Sequence, residues 1–295
     1  MKLTLLGTGT PAPSTKRQSS GYLVEIGSQT IVLDHGPGAH QRLIEGGFKA
    51  ASVTHALFTH LHYDHCMDYG RLVLQRWDVG AGNVADLLVY GPPPLKRMND
   101  SLFGEGGFYH EDVRARTHHE ASLDVFRARG GKLPRKPPSP VITEVKPGDR
   151  IKGDGWHALV GESSHMQPFL QCYGYRIESD GKSLCYAGDS GGVCDTVIEL
   201  AKKADVLIHM THLASGTEPS AQFRKSSGAH TDVAEVARRA DVGALVLSHF
   251  TAHIDTPGTR ERLISEMSKI YTGPIIWGED LMALSVPHVS SCGID

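Results

Sequence analysis

The sequence lacks the features that mark membrane and secreted proteins. No stretch approaches the roughly 20 consecutive apolar residues that a membrane-spanning helix requires. The chain begins Met1-Lys2-Leu3-Thr4 and enters a strand-like run at once, without an apolar leader. The five cysteines are widely spaced, odd in number and form no C-x-x-C pair, which argues against a disulfide scaffold. We therefore expect a cytoplasmic protein with no membrane partner.

An excess of positive charge is also missing. The chain has 30 Lys and Arg against 33 Asp and Glu, which gives a net charge of −3. Domains that bind nucleic acid usually carry a basic face or stripe. On this ground we expect a small-molecule substrate and no nucleic-acid partner.

The residues that are present predict an α/β protein. Apolar or alternating runs at 3–6, 21–26 and 30–33, bounded by Gly and Ser, are typical of strands. In the second half, apolar residues spaced i, i+3, i+4, i+7 from Val197 and again from Val233 predict helices, each followed by an apolar strand at 205–209 or 242–249. Thr231 or Asp232 is the expected N-cap of the second helix, and Thr256-Pro257 should open a third.

Residues 91–140 differ in composition from the rest of the chain. They are rich in Pro, Gly, Arg and His. Loops of this length in a compact domain are usually functional or disordered. We predict one domain over 1–295 with an insertion at about 91–140, made of loops and one or two short helices, the clearest at 122–129. The insertion should act as a cap over the active site or as a dimerisation arm, so we expect a homodimer.

The segment after the apolar run 55–59 carries the chemistry. His60, His62, Asp64 and His65 fall within six residues. Imidazole and carboxylate are the ligands that zinc and related metals prefer. In a tight loop leaving a strand, His60 and His62 could bind one ion while Asp64 and His65 bind a second. The alternative, a polar surface turn, is disfavoured because packed histidines need a partner for each ring nitrogen.

The pattern HxHxDH resembles that of the metallo-β-lactamase superfamily of hydrolases. Further segments match that family in order: Leu33-Asp34-His35-Gly36, Ser163-Ser164-His165, Tyr186-Ala187-Gly188-Asp189 and Leu247-Ser248-His249. Within the superfamily the opening 6–11, the run 17–20 and His230-Thr231 are similar to the ribonuclease Z branch. The resemblance implies an αββα sandwich, with two mixed β-sheets flanked by helices.

The resemblance also implies a set of site residues. His60, His62 and His165 would bind one zinc; Asp64, His65 and His249 would bind a second; Asp189 would bridge the two. Manganese or iron could replace zinc. Asp34 would orient a ligand histidine. Asp64 and His230 would be catalytic, by accepting a proton and by steadying the transition state or protonating the leaving group. Taken alone, His249 could be a core histidine and Asp189 a turn residue, and Cys66 is expected to pack rather than to bind metal.

Two departures from the ribonuclease Z pattern bear on the substrate. Only 23 residues separate His165 from Asp189, where that enzyme has a long basic arm that clamps tRNA. Met210 stands where an acidic residue supports the catalytic histidine. We therefore predict a dinuclear zinc hydrolase acting on a small phosphodiester. The alternatives are hydrolysis of an arylsulfate ester, lactone or amide, then tRNA 3′ processing, and last a non-catalytic metal-binding protein.

Overall fold

The computed structural model describes residues 1–287, and in this part of the chain two seven-stranded sheets lie face to face. The first has the strand order β14-β1-β2-β3-β4-β5-β6 and the second β13-β12-β11-β10-β9-β8-β7. The strands are β1 (Lys2–Gly7), β2 (Gly21–Ile26), β3 (Gln29–His35), β4 (His55–Leu57), β5 (Leu88–Gly91), β6 (Val141–Glu144), β7 (Arg150–Lys152), β8 (His157–Glu162), β9 (Tyr173–Ser179), β10 (Lys182–Tyr186), β11 (Val206–Met210), β12 (Leu245–Ser248), β13 (Ile275–Trp277) and β14 (Ala283–Ser285).

Helices cover the outer faces of both sheets. They are α1 (Ala39–Glu45), α2 (Tyr63–Cys66), α3 (Tyr69–Gly80), α4 (Leu95–Phe103), α5 (His110–His118), α6 (Glu120–Ala128), α7 (Asp195–Ala201), α8 (Ala221–Ser226), α9 (His230–Ala240) and α10 (Thr259–Met267). None of these helices combines the length and the apolarity needed to cross a membrane. The expected αββα sandwich with two mixed sheets is confirmed.

The core explains why the central strands are almost continuously apolar. Ile31 and Leu33 of β3 point between the sheets, whereas Val32 points outwards against α1 and α3. In the second sheet Ile208 faces the partner sheet and Leu207 packs beneath α7 and α9. A strand buried on both faces needs apolar residues at successive positions rather than at alternate ones. β4, β10, β11 and β12 run in parallel pairs, so their carboxyl ends meet at one edge of the sandwich.

The insertion is more helical than the sequence predicts. Residues 91–140 contain three helices, α4, α5 and α6, rather than one or two. They form the crossover between the parallel strands β5 and β6. Arg116, Arg129 and Arg135 all form ion pairs with Asp78 of α3, at 2.6–3.3 Å. These long-range charges order a segment whose local composition resembles a loop.

Two predicted helix starts are wrong by a few residues. α9 begins at His230 with Ala229 as its N-cap, not at Thr231 or Asp232. The backbone N–H of His230 bonds to the carbonyl of Leu213, and the N–H of Thr231 bonds to Ser215 Oγ, so a neighbouring segment replaces the side-chain cap. α10 begins at Thr259 after Gly258, so Pro257 precedes the helix instead of opening it.

Candidate metal centre

The predicted ligands follow four strands that end at the same edge of the sandwich. His60, His62, Asp64 and His65 follow β4 in the first sheet, while His165, Asp189 and His249 follow β8, β10 and β12 in the second. Gly36, after β3, lets the loop approach closely, because a Cβ there would lie 1.8 Å from the carbonyl oxygen of Asp64. The structure therefore brings together residues up to 189 positions apart in the sequence.

The first donor group consists of three histidine nitrogens. Nε2 of His60 lies 2.9 Å from Nδ1 of His62, and Nε2 of His165 lies 3.3 Å from the same Nδ1. In a tetrahedral site with zinc–nitrogen bonds of about 2.0–2.1 Å, neighbouring nitrogens are about 3.3 Å apart. The three nitrogens are thus spaced as the ligands of one cation would be.

The second donor group contains two carboxylates and two imidazoles. Nε2 of His65 and Nε2 of His249 lie 3.5 Å and 3.3 Å from Oδ2 of Asp64. The same two nitrogens lie 3.5 Å and 3.3 Å from Oδ2 of Asp189. Asp189 Oδ2 is also 3.7 Å from Nε2 of His165, so this carboxylate touches both groups. It occupies the position that a bridging ligand requires.

Hydrogen bonds on the outer side of the centre fix the histidine tautomers. Thr59 Oγ1 donates to Asp34 and therefore accepts from Nδ1–H of His60. Nδ1–H of His65 donates to Asp34, and Nδ1–H of His165 donates to the carbonyl of Ser226 at 2.6 Å. In each ring Nδ1 thus carries a proton, and the outer hydrogen bond directs Nε2 at the centre. Asp34 orients His65 as expected.

The charges of the centre favour cation-binding protonation states at His60, Asp64 and Asp189. Burial lowers the pKa of His60 well below its usual value, and the neighbouring His65 lowers it further, so this imidazole is neutral. Burial would raise the pKa of Asp189, but His249 and His65 outweigh it and hold the carboxyl well below its usual range. Burial would likewise raise the pKa of Asp64, and the hydrogen bond from His249 reverses that shift. Both carboxylates are ionised. Burial would lower the pKa of His65, but Asp189 and Asp34 outweigh it and raise that pKa well above its usual value, so a cation would displace a proton there.

A buried atom without a partner also points to cations. Nε2 of His65 is fully buried and has no hydrogen-bond partner within residues 1–287, although it lies 3.5 Å from a carboxylate oxygen of both Asp64 and Asp189. A buried nitrogen without a hydrogen-bond partner destabilises the fold unless a ligand such as a metal ion binds it. The donor set of imidazole nitrogens and carboxylate oxygens fits zinc, manganese or iron. That the seven residues bind metal stays a prediction.

Several contacts of the centre have no signal in the local motif. Nδ1 of His212 lies 3.3 Å from Nδ1 of His249, and Tyr186 donates its hydroxyl proton to Asp34 at 2.7 Å. His209, His212 and His253 lie outside the two groups of possible metal ligands. Cys66 donates its thiol proton to the carbonyl of His62 and stays outside the donor groups, as expected.

His230 lies against a different set of residues. Its Nδ1 accepts a hydrogen bond from the backbone N–H of Ser215, so Nε2 carries the proton and donates to Glu266 at 2.7 Å. The sulfur of Met210, which replaces the expected acid, accepts from the backbone N–H of Ser190 instead. The carboxylate that supports His230 thus comes from α10, 36 residues away. The catalytic role of His230 stays a prediction.

Two site residues adopt a left-handed backbone. Asp34 has φ of 54° and His249 has φ of 59°. This region is disfavoured for residues with a Cβ by roughly 1–2 kcal/mol and is concentrated at functional sites. The left-handed backbone turns both residues out of their strand direction, so that Asp34 reaches Nδ1 of His65 and His249 reaches the carboxylates of the centre.

The fold and this centre together define a hydrolase of the metallo-β-lactamase fold. The chain belongs to the metallo-β-lactamase superfamily and to its ribonuclease Z-like branch, as the family resemblance predicts. A family profile described as "Beta-lactamase superfamily domain" matches residues 29–250.

Known relatives support this assignment along the whole chain. The ribonuclease Z of Mycobacterium bovis is 32% identical over 292 residues, which cover 97% of this chain and 98% of the relative. The ribonuclease Z of Mycobacterium tuberculosis is 31% identical over 292 residues. Among solved structures, the metallo-β-lactamase fold protein YhfI of Bacillus subtilis has a TM-score of 0.71 at 18% identity and covers 96% of this chain and 98% of its own. Human tRNase Z, short form, has a TM-score of 0.67 at 20% identity, covering 97% and 100%.

These relatives overturn the expectation that nucleic acid is not a partner. Net charge is a sum and conceals its distribution: residues 91–140 hold nine Lys and Arg against six Asp and Glu, within a chain of net charge −3. The short segment after His165 is no counterargument, because the M. bovis ribonuclease Z is matched over 98% of its length. The expectation that nucleic acid is not a partner, and with it the preference for a small-molecule partner, is therefore wrong.

Proposed function

We propose that this protein is a metal-dependent ribonuclease that hydrolyses phosphodiester bonds in RNA, with precursor tRNA as the substrate class. One observation carries the proposal: two groups of metal-ligand atoms, joined by Asp189, lie in a chain that is 32% identical to a ribonuclease Z over nearly its whole length.

The residues of the centre would serve as metal ligands, and one of them would also serve as the general base. His60, His62 and His165 would hold one cation, and Asp64, His65 and His249 a second, with Asp189 between them. Two cations so held supply Lewis acidity towards a phosphoryl oxygen and lower the pKa of water. The carboxylate of Asp64 is ionised and lies at the centre, so it is the group that can accept the proton released when water attacks phosphorus.

The surrounding protein orders this chemistry. The Nδ1–H bonds of His60, His65 and His165 to Thr59, Asp34 and Ser226 prevent the rings from turning. Ligands that are already oriented need little rearrangement as negative charge develops on the phosphoryl oxygens. This preorganisation is the main source of electrostatic stabilisation of a transition state. The segment Gly7-Thr8-Gly9-Thr10 forms one edge of the centre, because the N–H of Phe250, next to His249, bonds to the carbonyl of Thr8.

A cleavage assay tests the proposal. The protein loaded with zinc or manganese should remove the 3′ extension of a labelled precursor tRNA. His60→Ala should abolish cleavage, whereas His157→Ala, a half-exposed histidine of β8 at the opposite end of the sheet, should retain it. The same preparation is given an aryl sulfate and a lactone. Intact RNA together with turnover of either small substrate would overturn the proposal.

A further inference from the structure

The short helix α8 borders both halves of the metal centre. At its end, the carbonyl of Ser226 accepts the proton of His165 Nδ1, and the carbonyl of Lys225 accepts from Ser164 Oγ at 3.2 Å. One turn earlier, the ring of Phe223 lies 5.9 Å from the ring of His212, which in turn contacts His249. The helix therefore runs from the first donor group to the second.

The two basic residues of α8, Arg224 and Lys225, differ in whether they form ion pairs. Arg224 forms ion pairs with Asp232 at 2.6 Å and with Glu218 at 3.4 Å, which fix α8 to the start of α9. Lys225 is exposed, and within residues 1–287 no carboxylate lies within ion-pair distance of it. A lysine without a carboxylate partner, on a helix that borders the metal centre, is available for an anion that binds there.

Two phenylalanines lie near the candidate ligands, one in space and one in the sequence. Phe223 is half-buried, and Phe169, four residues after His165, is 92% exposed. A single exposed phenyl ring is ordinary on a protein surface, so its position beside the candidate ligands is what makes it informative. Nucleobases stack on such rings regardless of sequence, and a phosphate backbone next to them is held by Lys or Arg.

We propose that α8, through Lys225 and Phe223, binds the single-stranded part of the RNA next to the scissile phosphate. The inference rests on the proposed ribonuclease function and adds the recognition surface. The ammonium group of Lys225 binds one backbone phosphate, and the ring of Phe223 stacks on the base of that strand. The occupant is single-stranded RNA because base stacking requires an unpaired base, and the lysine supplies the complementary charge.

The lysine is tested through the salt dependence of cleavage. For precursor tRNA, log(kcat/KM) of Lys225→Ala should fall less steeply with log salt than wild type, with the slope reduced by about 0.7–1 for one lost phosphate contact. The substitution should raise KM, and kcat and the metal content should stay at the wild-type values. Lys152→Ala removes an exposed lysine of β7, at the far end of the second sheet, that forms no ion pair within the described residues, and it should match wild type.

The aromatic contact is tested by substitution and rescue. Phe223→Leu should raise KM for precursor tRNA about 5-fold to 100-fold, the range for loss of one stacked base, and Phe223→Tyr should restore it. Phe108→Leu, a phenyl group 79% exposed on the insertion, is the control. If wild type cleaves RNA but Lys225→Ala and Phe223→Leu behave like their controls, the recognition surface is refuted and the ribonuclease function stands. If wild type leaves RNA intact, both fall.

Discussion

Asp34 accepts a hydrogen bond from Nδ1 of His65 at 2.8 Å, and the same carboxylate oxygen also accepts from Tyr186 and Thr59. Its other oxygen accepts from the backbone N–H of Thr59 at 2.7 Å. This one buried carboxylate thus orients a histidine in each donor group. It bonds directly to His65 of the second group, and through Thr59 it orients His60 of the first. A group that only accepts is required at this position.

Asp34→Asn should therefore weaken metal binding without removing a ligand. An amide offers one oxygen and one N–H₂, so either His65 or Thr59 would face a donor. We expect metal affinity to fall about 10-fold to 100-fold, as for other partners of ligand histidines. Competition with a chromogenic chelator measures this. Asp205→Asn alters a buried carboxylate that binds Ser183 at the other end of the sheet, and equal loss there would contradict the prediction.

Asp189→Ala should reduce metal content more than loss of any single histidine, because its Oδ2 touches both donor groups. We expect two equivalents per wild-type chain, by analogy with two-metal hydrolases, and at most one in the variant, with activity lost. Elemental analysis after gel filtration gives the stoichiometry. Asp154→Ala, an exposed turn residue, is the control. Wild-type metal content in Asp189→Ala would make Asp189 a turn residue.

His230→Ala should keep its metal and lose turnover. A general acid–base group typically contributes about 10²–10⁴-fold to the rate. Glu266→Gln should give a smaller loss, since an amide oxygen can still accept the proton of Nε2. Glu261→Gln, on the same helix, should have no effect on turnover. Loss of metal in His230→Ala would instead identify it as a ligand.

The buried pair His35 and His40 should make the protein sensitive to acid. Burial, with His40 and Arg71 nearby, lowers the pKa of His35 from 6.5 to about 3. Between these values the unfolded chain binds a proton that the folded protein does not, so stability falls as pH drops below 6.5 and is unaffected above it. From about pH 7 to pH 5 the free energy of unfolding should fall about 2 kcal/mol more in wild type than in His35→Gln.

Urea denaturation at equal metal loading measures this difference. His157→Gln, in which a half-exposed histidine paired with Glu178 is replaced, serves as the control. Parallel pH profiles for wild type and His35→Gln would contradict the prediction.

Asp78→Asn should loosen the insertion from α3. The carboxylate pairs with Arg116, Arg129 and Arg135, and Arg135 also lies over the ring of Trp77 at 4.0 Å. The hydrogen bond from the buried Arg135 contributes about 1.5–3 kcal/mol, and the exposed Arg116 and Arg129 add about 0–1 kcal/mol each. Helices α5 and α6 should therefore open more readily to protease. Limited proteolysis measures the rate of cleavage within 104–140, and an unchanged rate would show that apolar contacts alone hold the insertion.

The sequence predicts local chemistry better than its long-range support. The spacing of His60, His62, Asp64 and His65 depends on one loop, so the motif alone indicates it. The contacts between His212 and His249 and between His230 and Glu266 join positions 37 and 36 residues apart. No periodicity or capping rule links such positions, because they depend on how β11, β12 and the following helices are packed.

The insertion at 91–140 also shows that local sequence does not reveal long-range contacts. Gly and Pro between 91 and 140 predict loops, since both disfavour helix interiors. The three helices form because Phe103, Val113 and Phe126 pack and because the arginines find Asp78. Tertiary contacts override local propensity here. Net charge failed as a guide to partners for a related reason: it contains no positional information.

Each donor group takes residues from both sheets, His60 and His62 with His165, and Asp64 and His65 with His249. A cation held by either group is therefore a cross-link between the two halves of the sandwich, placed at the edge where their strands end. Binding that is specific to the folded state stabilises it by about 2.7 kcal/mol when free ligand is 100-fold above its dissociation constant. We therefore expect the supply of metal to set the stability of the folded protein as well as its activity.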